Sequence, residues 1–147
     1  MTCLVRLFAA MLVGLAAWLV QPPPGHAATE VDLALVLAVD ISGSMDPDEQ
    51  KLQREGFVEA FRSALVHKAI QDGMLGRIAV VYVEWAGYNI QHVVVPWTVI
   101  EAPEDALEFA ERLAQIPIPR GPRTSVSGAI DFSVRSRICS HCRSRYS

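Results

Sequence analysis

The chain has 147 residues, a formal net charge of −3 and a hydrophobic share of 51%. All 16 acidic side chains and 12 of the 13 basic ones follow residue 28, so that part carries a net charge of −4. This length suits one small domain. The mildly acidic balance argues against a nucleic-acid partner.

Residues 1–28 have the pattern of a secretory signal peptide. Arg6 precedes an apolar run from Leu7 to Val20, and small residues surround a cleavage point after Ala27 or Ala28. The sequence therefore predicts an exported protein, periplasmic or extracellular. An uncleaved anchor is the alternative and the only membrane contact we expect, although the apolar run is short for a membrane span.

The next segment predicts a buried strand that ends in a metal-binding loop. The unbroken apolar run from Leu33 to Val39 is typical of a strand buried on both faces of a parallel sheet. Asp40, Ser42 and Ser44 follow at alternate positions, so their oxygens can face one point. Such oxygens suit a hard cation, with Mg²⁺ expected and Mn²⁺ or Ca²⁺ left open. The alternative is a buried strand followed by a simple Ser/Gly turn.

A capped helix is predicted directly after this loop. Asp46 fits the N-cap, Pro47 the first helical position and Glu49 the third position of a capping box. One helix is expected to run to about Asp72-Gly73. Its apolar residues recur at helical spacing: Leu52, Phe57, Phe61, Ala64, Leu65, Ala69 and Ile70.

Two strands and two helices are predicted in the rest of the chain. Residues 78–85 are rich in β-branched and aromatic types, and a short turn leads to a third strand over 90–97. The short connection makes these two strands antiparallel, with the third at the sheet edge. A helix opens at Pro103 and stops before Pro117, and a proline-stiffened loop over 116–124 precedes the last helix.

Two motifs resemble those of the von Willebrand factor type A (VWA) family, which carries a metal-ion-dependent adhesion site (MIDAS). The run from Asp40 to Ser44 is similar to the family's D-x-S-x-S signature. Thr124, with Ala129 and Ile130 after it, resembles the second signature. In the family that threonine reaches the metal directly or through water, so the resemblance implies Thr124 as a fourth ligand. The leader, the run Val-Asp-Ile-Ser-Gly-Ser-Met over 39–45 and the Val-Glu-Trp strand together look most like a bacterial exported VWA-like family of unknown function.

The resemblance implies an α/β fold, a doubly wound Rossmann-like sheet with helices on both faces and strand order 3-2-1-4-5-6. It covers residues 29–133, which correspond to the N-terminal half of a VWA domain. The half-sheet would leave the opening strand as an exposed apolar edge. The family's further aspartate, from the loop after the fourth strand, has no counterpart in this sequence.

Residues 134–147 form an Arg/Ser/Cys-rich tail that we expect to be disordered and to reflect a frameshift or truncation. Within it, the spacing of Cys139 and Cys142 invites a zinc or redox interpretation. A single C-x-x-C lacks the second ligand pair of a structural zinc site. A local disulfide or two unpaired thiols is expected instead.

The leading functional hypothesis is a non-catalytic, metal-dependent domain that binds an acidic side chain of a protein partner. A non-functional fragment of such a domain is the alternative. A metal-dependent hydrolase is less favoured, because the chain shows no Gly-x-Ser-x-Gly elbow and no phosphate-binding loop. The sequence leaves the partner's identity and the oligomeric state open.

Overall fold

The computed structural model describes residues 29–136 and the backbone of residues 142–144. The predicted signal peptide and Cys139 lie outside the described residues, as does the side chain of Cys142. Among the residues described, no helix is long and apolar enough to cross a membrane.

A three-stranded sheet forms the centre of the fold. Its strands are β2 (Leu33–Asp40), β3 (Ile78–Trp85) and β4 (Gln91–Ile100), in the order β2-β3-β4. β2 and β3 are parallel, whereas β3 and β4 are antiparallel. Two short strands, β1 (Thr29–Val31) and β5 (Cys142–Ser144), pair in parallel as a separate ribbon. The predicted α/β class and the antiparallel pairing are confirmed.

Four helices of the described part of the chain flank the central sheet. They are α1 (Pro47–Arg62), α2 (Ala64–Gln71), α3 (Pro103–Gln115) and α4 (Val126–Ser136). The main core lies between one face of the sheet and α1, α2 and α3, where Val80 and Tyr82 meet Phe61 and Phe109. α4 lies on the other face, beside β2 and Trp85.

The prediction of a single helix between residues 47 and 72 is wrong, because the helix is interrupted at Ser63. This residue has an extended backbone, with ψ of 127°, and its hydroxyl accepts a hydrogen bond from the Leu65 backbone N–H at 3.3 Å. Serine side chains compete for backbone groups in this way and so favour helix ends. Two residues of the predicted apolar stripe, Leu52 and Leu65, are 71% and 80% exposed and so lie outside the core.

β2 is an edge strand, and the expectation that both its faces are buried is wrong for the described residues. Leu33 is 48% exposed, and most of the strand is only half-buried. Among the described residues, β2 lies at the edge of the three-stranded sheet, as expected. At the opposite edge, β4 continues past the predicted end to Ile100, which is possible because an edge strand tolerates Pro96. The predicted tail begins inside α4, which continues to Ser136.

A buried ion pair joins three elements on the α1 face of the sheet. Arg54 of α1 is 5% exposed and Glu84 of β3 is 1% exposed, and the guanidinium donates to the carboxylate. The same guanidinium donates to the backbone carbonyls of Leu113 and Ile116, each at 2.8 Å. Arg54 therefore fixes α1 against β3 and against the end of α3. Beside this pair, burial raises the pKa of Tyr82 to about 12.

Replacing either member of this pair alone should destabilise the protein strongly. Arg54→Ala or Glu84→Ala leaves an uncompensated charge in the core, for which a loss of about 3–5 kcal/mol in unfolding free energy is typical. The double change Arg54→Met/Glu84→Leu removes both charges and should cost less than either single change. Urea denaturation measures all three. Arg62→Ala, which breaks an exposed pair with Glu59, is the control and should cost less than about 1 kcal/mol. A double variant that loses the sum of the two single losses would contradict this account.

Candidate metal-binding site

The candidate site lies where β2 and β3 end side by side. Asp40, the last residue of β2, is in register with Trp85, the last residue of β3. The Ile41 backbone N–H then donates to the Trp85 carbonyl at 2.9 Å, so pairing continues for one residue past the strands. Ligands of open α/β sheets bind at this carboxyl edge. The structure thus places the predicted loop at the expected edge.

The three predicted ligands at the end of β2 lie within one tight loop. The Ser42 backbone N–H donates to Asp40 Oδ1 at 2.8 Å, which holds the carboxylate over the loop. The hydroxyl oxygens of Ser42 and Ser44 lie 2.9 Å apart. Mg²⁺ binds its ligands octahedrally at 2.0–2.1 Å, which places neighbouring ligand oxygens about 2.9 Å apart. The two hydroxyls therefore fit adjacent positions around Mg²⁺, and the same spacing is a hydrogen bond between them without the ion.

Helix α1 holds this loop from one side. Asp46 caps the helix by accepting from the Asp48 and Glu49 backbone N–H groups, and the Glu49 carboxylate accepts from the Asp46 N–H. This confirms the predicted capping box. The buried Gln50 side chain, one turn further on, donates to the Ser42 carbonyl at 3.3 Å. Ser42 itself is fully buried, so the loop has a fixed place in the fold.

The proline-rich segment after α3 holds the loop from the other side. The Gly43 N–H donates to the Gly121 carbonyl at 2.8 Å, and the Gly121 N–H donates to the Ile41 carbonyl at 3.0 Å. Gly121 thereby pairs in parallel with Ser42, like one residue of an additional strand. Four residues later the Ser125 N–H donates to the Ala86 carbonyl at 2.8 Å.

These bonds bring the fourth predicted ligand to the same edge. Thr124 lies between Gly121 and Ser125, and the structure ties both of those residues to the ends of β2 and β3. Its side chain is exposed, as is that of Ser44, whereas Asp40 is half-buried. Asp131 lies on α4 and pairs there with Arg135.

The site differs from the most common protein metal centres. Among the residues that the structure describes, no three His, Cys, Asp or Glu side chains form a group able to hold a metal ion. The candidate site offers one carboxylate and hydroxyl oxygens, and oxygen ligands of this type suit Mg²⁺ rather than Zn²⁺.

Some residues that build the site have no obvious motif in the sequence. The pairing of Gly121 depends on contacts between segments far apart in the chain, although a glycine between two prolines marks a special backbone position. Glu84 carried a clearer signal, because a carboxylate inside an apolar strand requires a buried partner. Arg54, that partner, lies among other charged residues on α1 and is not distinguished by its neighbours.

A family model described as "Protein of unknown function (DUF1194)" matches residues 30–143. The chain belongs to this family. The matched span contains the four predicted ligands, the Arg54–Glu84 pair and Gly121, so the whole candidate site lies within the part of the chain that defines the family. No curated protein matches the chain.

Substituting Gly121 should displace the segment that carries Thr124. A Cβ atom at this position would overlap the Ala86 Cβ, and neither group can move without shifting backbone. We expect Gly121→Ala to lower the unfolding free energy by about 1–3 kcal/mol, the usual cost of overpacking. It should also accelerate hydrogen exchange at the Gly43 amide, which donates to Gly121.

Gly56→Ala is the matched control, because a Cβ there meets nothing within 4 Å. Gly56 lies inside α1, where replacing glycine by alanine should stabilise by about 0.5–1 kcal/mol. Equal stabilities of the two variants would show that the close approach at Gly121 is not a real constraint.

Proposed function

We propose that this protein is a VWA-like, divalent-metal-dependent binding domain without catalytic activity, which acts outside the cytoplasm. Asp40, Ser42, Ser44 and Thr124 would hold the ion, with Mg²⁺ as the expected metal. A carboxylate from a protein partner would complete the coordination. The observation that supports this proposal most strongly is the convergence of the Asp40-Ser42-Ser44 loop and the Thr124 segment at one edge of the sheet.

The charge of the ligand set explains why such a site would need a partner. One carboxylate on a divalent cation leaves a net positive charge, since the hydroxyl ligands are neutral. Mg²⁺ usually keeps several waters and binds through one or two carboxylates plus oxygens of its ligand. An incoming carboxylate that displaces one water therefore gains both a bond to the ion and charge neutralisation.

Metal binding should depend on Asp40. Isothermal titration of the protein with Mg²⁺ or Mn²⁺ is expected to show saturable binding at one site, and Asp40→Ala should weaken it at least tenfold, because it removes the only charge of the ligand set. Ser42→Ala and Thr124→Ala should weaken it less, since each removes a neutral ligand. Circular dichroism would verify that each variant retains its secondary structure.

Asp131→Ala provides a matched control. It removes the same type of side chain from α4, where Asp131 forms an exposed pair with Arg135 at 3.0 Å. Its metal affinity should equal that of the unmodified protein. Binding heats that are the same for the unmodified protein and for Asp40→Ala would refute the metal site.

A further inference from the structure

We infer that the partner of this edge is an acidic protein segment with at least two carboxylates, one for the metal and a second for Arg120 and Arg123. The inference rests on the proposed function and specifies the chemistry of its partner. It depends on how positive charges are distributed over the described residues.

Two arginines stand apart from the other basic side chains. Residues 29–136 contain nine Lys and Arg residues, and Arg120 and Arg123 are the two without a carboxylate within 4.0 Å in that range. The other seven are paired: Lys51 with Glu55, Arg54 with Glu84, Arg62 with Glu59, Lys68 with Asp72, Arg77 with Glu101, Arg112 with Glu108, and Arg135 with Asp131.

Both arginines lie beside the candidate metal loop. One Arg120 guanidinium nitrogen is 3.5 Å from the carbonyl of Met45, the residue after Ser44. The Arg123 Cβ is 3.6 Å from the position that a Cβ on Gly87 would occupy, in the turn that follows β3. Both side chains are exposed. They are carried by the same short segment as Thr124, so they would flank a ligand that reaches the ion.

The acidic residues near the edge do not neutralise these arginines. Asp46 and Glu49 accept hydrogen bonds within the capping box of α1, and neither forms an ion pair with Arg120 or Arg123. The cap thus engages both carboxylates, and Arg120 and Arg123 keep no carboxylate of the described residues within 4.0 Å. The N-terminus of α4, which begins two residues after Thr124, adds a partial positive charge.

Charge complementarity identifies an acidic peptide as the occupant. A guanidinium binds a carboxylate through two parallel hydrogen bonds. In an extended peptide, side chains two residues apart point to the same side and lie about 7 Å apart. A partner that presents acids at positions i and i+2 therefore offers one carboxylate to the ion and a second, about 7 Å away, to Arg120 and Arg123.

Peptide binding in the presence of saturating Mg²⁺ tests the inference. The probes are an eight-residue Gly/Ser peptide with aspartates at i and i+2, and its analogue with asparagine at the second position. We expect the two-acid peptide to bind about fivefold more tightly, the factor given by two exposed ion pairs of moderate strength. This preference should shrink as salt rises, because the charges are exposed.

Arg120→Gln/Arg123→Gln should abolish the preference and leave Mg²⁺ affinity within about twofold. The control, Arg62→Gln/Arg135→Gln, removes the same net charge from exposed pairs. Arg62 ends α1 and lies about 22 Å from the first residue of that helix, which is the end beside the metal loop. This control should therefore keep the preference for the two-acid peptide.

Equal affinities for the two peptides, or equal losses of the preference in the two double variants, would overturn the inference. Equal binding of a single-stranded oligonucleotide of the same charge would overturn the choice of a peptide.

The test separates this inference from the proposed function. If Mg²⁺ fails to bind, the peptide titrations are repeated without Mg²⁺. Loss of the preference for the second acid in the arginine variant then shows that the metal site fails and that the part of the inference concerning Arg120 and Arg123 stands. If Mg²⁺ binds and depends on Asp40, while the arginine variants change nothing, the metal site stands and the inference fails.

Discussion

Arg54 and Glu84 form an ion pair in the core, and three parts of the candidate site take their positions from it. Arg54 lies on α1, whose first turn follows the Asp40-Ser42-Ser44 loop, and Glu84 immediately precedes the last residue of β3. The carbonyls of Leu113 and Ile116, which also accept from Arg54, end α3 and start the segment that leads to Gly121. Buried charges are costly unless they are paired and hydrogen-bonded, so they restrict how the elements can be arranged.

Main-chain hydrogen bonds of Gly121 then fix the Thr124 segment beside the loop. Gly121 inserts between Ile41 and Gly43 as a single residue of parallel pairing, a contact that only a residue without a side chain permits at this distance from Ala86. Thr124 follows within three residues. The loop that would contribute the carboxylate and the segment that would contribute the last hydroxyl are therefore joined by main-chain hydrogen bonds. A site built this way is pre-organised, and pre-organisation lowers the entropic cost of binding.

Local signals in the sequence were sufficient for most elements and for the loop. The Asp46-Pro47-Glu49 cap, the apolar strand before Asp40 and the β-branched strand over 78–85 depend on neighbouring residues, and all three are found. The break at Ser63 was missed because an apolar pattern continues through it, although the serine hydroxyl favours a helix end. The burial of β2 was overestimated because an apolar run cannot reveal whether a neighbouring strand is present on both sides. The roles of Arg54 and Gly121 depend on contacts between residues thirty or more positions apart, which local pattern does not encode.

The central claim is that a divalent ion binds between the Asp40-Ser42-Ser44 loop and the Thr124 segment. Titration of ¹⁵N-labelled protein with substoichiometric Mn²⁺ tests this location directly, since the paramagnetic ion broadens amide signals near its binding site. The account predicts that the amides of Ser42, Gly43 and Ser125 broaden first and that excess Mg²⁺ restores them. Broadening that begins instead at the exposed acids of α3, such as Glu104 and Glu111, or that is the same in Asp40→Ala, would contradict it.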